Sequence, residues 1–212
     1  MGLWLPSSHA LPRNAGNGCR PGASLLGVVD AGAVAQSHDV LIRRERSDDI
    51  DRIDDVHRQA FADSGPAGSE PVEVGLVRAL RADRGWVPAL SLVAEAADGH
   101  PIGHVVGSEG SVDDTAAVGL GPIGVLPAHQ GRHVGHALMH AVLAAADALD
   151  YPLVVLLGHT DYYPRFGFVQ ASTLGISPPD PTWGAHFQAR PLAMHSPALR
   201  GTFRYAAPFG AL

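Results

Sequence analysis

The 212-residue chain carries 15 basic against 21 acidic side chains, a formal charge of −6, with 46% hydrophobic and 17% charged residues. That balance suits a globular fold with a proper core and excludes a general attraction to nucleic acid or anionic lipid. Its one cysteine, Cys19, excludes an intrachain disulfide and a cysteine metal cage and fits a reducing cytoplasm, while no run reaches the ~20 apolar residues of a membrane span.

Residues 1–38 show neither the helical nor the strand period and read as a flexible tail rich in glycine, alanine and proline. Its apolar stretch at 23–35 contains Asp30, which sets it apart from a secretory leader. Residues 39–212 read as one domain. A first strand is predicted over 40–46. A helix follows over 48–61, with Ser47 or Asp48 as cap and Ile50, Ile53, Val56, His57 and Ala60 on its inner stripe. Gly65 and Gly68 break it, and a second helix over 72–81 turns Val74, Val77 and Leu80 inward before Gly85 and Pro88 stop it. The period then changes. Runs over 90–97 and 102–108 flank Asp98-Gly99 and predict a hairpin, and 116–126 predicts a third apolar strand. Residues 137–149, rich in alanine and leucine, form the strongest helix. The short run 152–158 reads as an internal strand buried on both faces. A Tyr/Pro/Gly segment, a Pro-rich loop at 177–181 and a last strand at 185–192 complete the chain. The order β-α-α-β-β-β-α-β gives a single mixed α/β sheet flanked by helices.

The stretch GLGPIGVLPAHQGRHVGHALM, residues 119–139, offers two phosphate-binding signatures. Gly119, Gly121 and Gly124 spell the G-x-G-x-x-G of a dinucleotide fold, whose third glycine belongs inside a continuing helix. Here Pro127 follows at once, and a proline inside a helix costs about 3 kcal/mol. Val118, Ile123 and Val125 favour strand instead. The second signature, Gln130 to Gly135, has the right context: a strand ends near Leu126, Pro127 blocks its continuation, and a helix begins within a few residues. The first turn of such a helix leaves amides without intrahelical partners, and these donors, with the positive end of the helix dipole, bind a diphosphate without basic side chains.

Gly124-Val-Leu-Pro-Ala-His-Gln-Gly-Arg-His-Val-Gly135 resembles the acetyl-CoA-binding strand–loop–helix of the GNAT N-acetyltransferase superfamily, whose loop runs Gln/Arg-x-x-Gly-x-Gly/Ala. Downstream, Tyr163-Pro-Arg-Phe-Gly167-Phe168 resembles its Tyr-x-x-x-Gly-Phe ending, in the form of the YhbS-like branch. The similarity runs from about Val40 to Phe209. It implies the acyl-CoA N-acyltransferase fold, a mostly antiparallel sheet flanked by helices, and an enzyme that moves an acetyl group from acetyl-CoA to a primary amine by direct attack, with no metal. It places Ile123, Gly124 and Val125 beside the pantetheine arm, the amide of Val125 or of Leu126 on the thioester carbonyl, and Gly131, Arg132, His133, Val134, Gly135 and His136 around the pyrophosphate. Tyr163 matches the tyrosine near the sulfur, a phenol able to protonate a departing thiolate, while Tyr162 reads as packing. Glu109, Asp113, His104 and His159 lie near the ends of the central strands as candidate catalytic bases, Glu109 first among them, and no motif fixes which of them acts.

One departure stands out. His133 occupies the first glycine position of the loop. A positive φ there would strain a histidine by about 1–3 kcal/mol, whereas a helical φ would cost little. This opens an alternative role, a GNAT-shaped protein that binds acyl-CoA without turnover. A third reading comes from His129, His133, His136 and His140, whose spacing puts the last three on one side of a helix where imidazoles can share a metal ion. No glutamate interrupts His136 to His140 as a hydrolytic zinc motif requires. Asp54, Asp55, Glu70, Glu73 and Trp86 border the expected acceptor pocket and suit either a cationic amine or an ordinary solvated surface. The Pro-rich segment and last strand can support a homodimer.

Overall fold

The computed structural model describes residues 40–66 and 68–211. The expected tail at 1–38 therefore lies outside the described residues. The central meander comprises β1 (Leu41–Arg44), β2 (Trp86–Glu95), β3 (Pro101–Val112) and β4 (Thr115–Val125), each antiparallel to its neighbour. Between β1 and β2 lie α1 (Ile50–Ala60) and α2 (Val72–Arg81), and after β4 comes α3 (Val134–Ala148). The chain then runs through β5 (Leu153–Leu157), β6 (Val169–Gln170), β7 (Ile176–Ser177), β8 (Phe187–Pro191) and β9 (Gly201–Arg204). The main path across the sheet is β1-β2-β3-β4-β5-β8-β6, with β9 joining β3 to β7.

Alternate side chains of the long strands feed two cores, as the period of two requires. Leu92 and Val105 pack with Leu138, Met139 and Val142 of α3. Val93 and Val106 pack with Ile53 of α1 and with Val77 and Leu80 of α2. A third core under β5, β8 and β9 gathers Leu153, Val155, Phe187, Ala189 and Phe203. With helices on both faces, β3 is buried from Pro101 to Ser108.

The observed elements differ from the sequence reading in a few places. Strand β2 begins at Trp86 and includes Pro88, which the sequence reads as a stop. The proline sits where the register with β3 shifts between Trp86 and Ser91, so its missing amide forfeits no regular ladder bond. The first helix is preceded by a 3₁₀ turn, Ser47–Asp49, at whose start Arg46 N donates to Asp49 Oδ2 at 2.7 Å, and Asp49 rather than Ser47 or Asp48 holds the cap position of α1, without a side-chain bond to that helix. Ile50, placed on the inner stripe, is 37% exposed. The third helix starts at Val134, three residues early, and β9 lies beyond the last expected strand.

The feature that makes a site is the parallel pair β4–β5. The two strands bond only at Val118–Val154 and Gly119–Val155. Beyond that point β4 continues to Val125 and β5 to Leu157 with no pairing between them. The Gly119-Leu-Gly121-Pro-Ile-Gly124 run is strand throughout, which removes the dinucleotide reading.

Candidate active site between β4 and β5

Leu126 N donates to Ile102 O at 2.9 Å, on the β3 side. Successive amides of a strand point to opposite edges, so the Val125 N–H faces the gap that β5 leaves open. The Val125 carbonyl shares that edge and accepts Gln130 Nε2 at 3.0 Å, which ties the loop to the strand. Pro127 opens a 3₁₀ turn, Pro127–His129, that ends the strand. Gly131 then takes φ +73° with open space around it, and His133 takes φ 62°, ψ 9°. Among the described residues, the amides of 131–136 find no main-chain acceptor. Ala137 N, on His133 O at 3.0 Å, is the first that does. Gly131, Arg132 and His133 are exposed, and Gly135 and His136 are half-buried. A cluster of backbone donors at the mouth of the gap suits a diphosphate.

His133 is in the left-handed region, the strained of its two expected conformations. For a non-glycine residue this costs roughly 1–2 kcal/mol. Its ring sits edge-on to His136 at 5.2 Å, while His136 and His140 pack on Phe166 at 5.2 and 5.3 Å. Burial lowers the His136 pKa, with the nearby Arg165 charge adding to the effect. Among the described residues no three His, Cys, Asp or Glu side chains converge as a metal site.

On the far side of the gap, Tyr163 lies in the 3₁₀ turn Tyr163–Phe166. It is 3% exposed, its ring covers Gly158 at the end of β5, and it meets Phe168 edge-on at 5.8 Å. Burial pushes its phenol pKa up, so the hydroxyl keeps its proton. Tyr162, read as packing, does pack against His136 and Phe166 and lies under the Arg165 guanidinium at 4.7 Å. Its hydroxyl also reaches within 3.4 Å of the Cβ position of Gly135, at the first turn of α3.

Glu109 does not join this group. It is exposed, accepts the Tyr151 hydroxyl at 2.7 Å, and pairs across the sheet with Val118, at the closed end of the gap. Five residues of strand separate it from His104, roughly 16 Å. Asp113 is farther still, in the β3–β4 turn, and His159 follows the end of β5. Of the four sequence-derived base candidates, only His104 stands beside Gly124, its cross-strand partner.

His104 belongs to a buried chain that sequence reasoning missed. Its Nδ1 is 2.8 Å from His57 Nε2, and its Nε2 is 2.9 Å from Ser91 Oγ. Ser91 Oγ donates to Glu45 Oε2 at 2.5 Å, and Arg81 Nε donates to Glu45 Oε1 at 2.6 Å. Both imidazoles are fully buried. His57 Nδ1 has no partner among the described residues and lies 3.0 Å from where a Cβ on Gly124 would sit. Burial lowers the pKa of both histidines, although the Glu45 carboxylate pulls His104 back up. Burial alone would raise Glu45, but hydrogen bonds from His104, Arg81 and Ser91 outweigh it and hold the carboxyl at about 2. The helical stripe signalled that His57 was inside; nothing local signalled its partner.

The acidic residues expected near the acceptor are largely paired. Arg78 Nε donates to Asp54 Oδ2 at 2.8 Å, Arg58 bonds Asp55, and both arginines reach Glu70. They tie α1 to α2 and to the segment between, while Glu73 is buried with its Oε2 unpartnered among the described residues.

A chain with this sheet, gap and donor loop matches known proteins. Residues 88–170 fit the family model of the acetyltransferase (GNAT) domain. An uncharacterized N-acetyltransferase, YjhQ of Escherichia coli strain K12, is 31% identical over 172 residues, covering 77% of this chain and 90% of that protein. Among solved structures, the GNAT family N-acetyltransferase YhbS of E. coli in complex with CoA superposes with a TM-score of 0.72 at 30% identity, covering 81% of this chain and 92% of the other. A GNAT family acetyltransferase from Brucella melitensis in complex with acetyl-CoA gives 0.65 at 35% identity, covering 81% and 99%. The chain belongs to the GNAT family of N-acetyltransferases, and its activity class is acyl transfer. Among the described residues no helix is long and apolar enough to cross a membrane.

Proposed function

We propose that this protein transfers an acetyl group from acetyl-CoA to a primary amine, of a small molecule or a peptide, by direct attack within the β4–β5 gap. The observation that carries this reading is the run of unpartnered amides at 131–136 together with a Val125 N–H aimed into the same gap. Gly131, Arg132, His133, Val134, Gly135 and His136 hold the pyrophosphate through main-chain donors, and Ile123 and Val125 flank the pantetheine. The Val125 amide donates to the thioester carbonyl as that oxygen gathers charge, a contribution of about 3–4 kcal/mol in comparable oxyanion sites. Tyr163, kept protonated by burial, donates its proton to the departing sulfur. The single cysteine, Cys19, suits a reducing cytoplasm as the setting.

Calorimetry with acetyl-CoA and with CoA, followed by a thiol-release assay across primary amines, tests the reading. Micromolar binding with amine-dependent thiol release is expected, and no binding at millimolar acetyl-CoA would overturn it. Tyr163→Phe should lower kcat by about 10²-fold with acetyl-CoA affinity retained. A larger loss from Tyr162→Phe would move the acid to Tyr162, whose hydroxyl already stands beside Gly135. The left-handed His133 favours a second reading, acyl-CoA binding without turnover, which tight binding and silence across the amine panel would support.

A further inference from the structure

Among the described residues, the facing strand ends, 120–125 of β4 and 156–157 of β5, carry no titratable side chain to take the proton that the attacking amine must lose. One basic atom is aimed at the reacting segment from the opposite face. The face of β4 that carries the Gly124 side-chain position looks toward α1, because Gly124 and His104 are direct cross-strand partners and His104 shares the face of Val106. His57 Nδ1 meets Gly124 there, one residue from the Val125 amide.

Hydrogen-bond logic fixes which atoms of this chain carry hydrogens. An ionised Glu45 only accepts, so the Ser91 hydroxyl spends its one hydrogen on Glu45 Oε2. The Ser91 oxygen must then accept from His104 Nε2–H. A neutral His104 has a bare Nδ1, which can only accept from His57 Nε2–H. A neutral His57 is left with its lone pair on Nδ1. The carboxylate therefore dictates the tautomers of two imidazoles in succession and leaves an unpartnered basic nitrogen against Gly124.

We propose that His57 is the general base of the transfer, with His104, Ser91 and Glu45 as positioning residues that hold its Nδ1 lone pair toward the site. This inference rests on the acetyl-transfer reading. In the step, the amine nitrogen forms the new bond to the acetyl carbon and gives one proton to His57 Nδ1. The carbon–sulfur bond breaks, and the sulfur leaves with the electron pair and takes the Tyr163 hydroxyl proton. Exchange with solvent then returns a proton to the tyrosine and removes one from the imidazole. Because His57 is fully buried, the proton arrives through one bridging water. The groups acting on the pair are Glu45 and Asp49 ahead of α1, Arg81 on α2 and Ser91 on β2. Glu45 and Asp49 favour a proton on His104, the hydrogen-bond partner of His57, while burial, His104 and Arg81 lower His57 itself.

The test begins with the full chain labelled with ¹⁵N-histidine. The His57 spectrum should show a bare Nδ1 and a protonated Nε2 at pH 7.5; a protonated Nδ1 would overturn the assignment. Turnover of acetyl-CoA is then followed with methylamine, putrescine, spermidine and alaninamide, using the fastest for kinetics. His57→Gln should lower kcat by 10²–10⁴-fold with the calorimetric Kd for acetyl-CoA unchanged. Substituted imidazoles added to His57→Ala should restore rate in order of their basicity, a trend that simple cavity filling would not produce. Glu45→Gln should move the acidic limb of the kcat/KM profile, where the base takes up its proton, to lower pH. If His57→Gln keeps kcat within threefold of an active wild type, the base assignment fails alone. A wild type that binds acetyl-CoA but acetylates none of the four amines would count against transfer and base together.

Discussion

Strand β4 presents two unlike surfaces at adjacent residues. At Val125 the edge opens into a gap lined by backbone donors, with an exposed loop beyond it. At Gly124 the face is closed by a buried imidazole, His57, backed by a hydrogen-bonded chain from three further segments, at 45, 91 and 104. The first surface is made of main chain and depends on conformation; almost any side chain that permits the turn will do. The second is made of side chains, and each member fails without the next, because a buried polar group left unpaired costs about 1–3 kcal/mol. Donor geometry on one side and proton chemistry on the other can therefore be perturbed separately.

The largest effect is expected from Gly124→Val. Its Cβ would meet His57 Nδ1 at 3.0 Å and Ala60 Cβ at 3.3 Å. Turnover should fall at least about 10²-fold and stability by about 1–3 kcal/mol, as for other overpacked cores, read from chemical denaturation and steady-state kinetics. A variant with unchanged turnover would erase the contrast between the two surfaces.

Acidification separates the surfaces next. Burial holds His57 and His104 below their ordinary pKa in the folded protein. As pH falls through about 6.5, the unfolded chain takes up protons that the folded chain refuses, so stability falls. The slope should approach ~1.4 kcal/mol per pH unit for each histidine. Glu45, held at about 2, adds a further loss from about pH 4.3 downward. Urea titrations between pH 7 and 5 measure the histidine contribution and those from about pH 4.3 to 3 the Glu45 contribution, and His57→Gln should remove one histidine's share of the slope.

On the loop side, His133→Gly should raise stability by about 0.5–1 kcal/mol, since relief of the left-handed strain exceeds the extra chain entropy of glycine. The same change should tighten CoA binding severalfold by clearing the donor cluster. A lower melting temperature would contradict the strain argument. The smallest effect belongs to Glu70→Gln. Its two arginine partners are about half exposed, and loss of such pairs should cost under about 0.5 kcal/mol by thermal melts.

The loop side was legible before any coordinates because its determinants are contiguous. Pro127 ends a strand, a helix begins within seven residues, and the amides between are free by helix geometry alone. The same local reading rejected the earlier glycine motif. It could not choose the φ of His133, which depends on how α3 docks on β3 and β4. A strand position says nothing about which end of the β4–β5 gap Glu109 occupies. Register with Val118 places it at the closed end.

Sequence alone settled the order of elements, the strand–loop–helix that gathers main-chain donors, and the family these define, because each is set by neighbours a few residues apart. Tertiary structure alone decided that His57, an inward residue on a helical stripe, meets His104 across 47 residues, with its free nitrogen against a glycine. Hydrogen-bond partners of a buried side chain are chosen by packing and register, and neither leaves a mark in the local pattern.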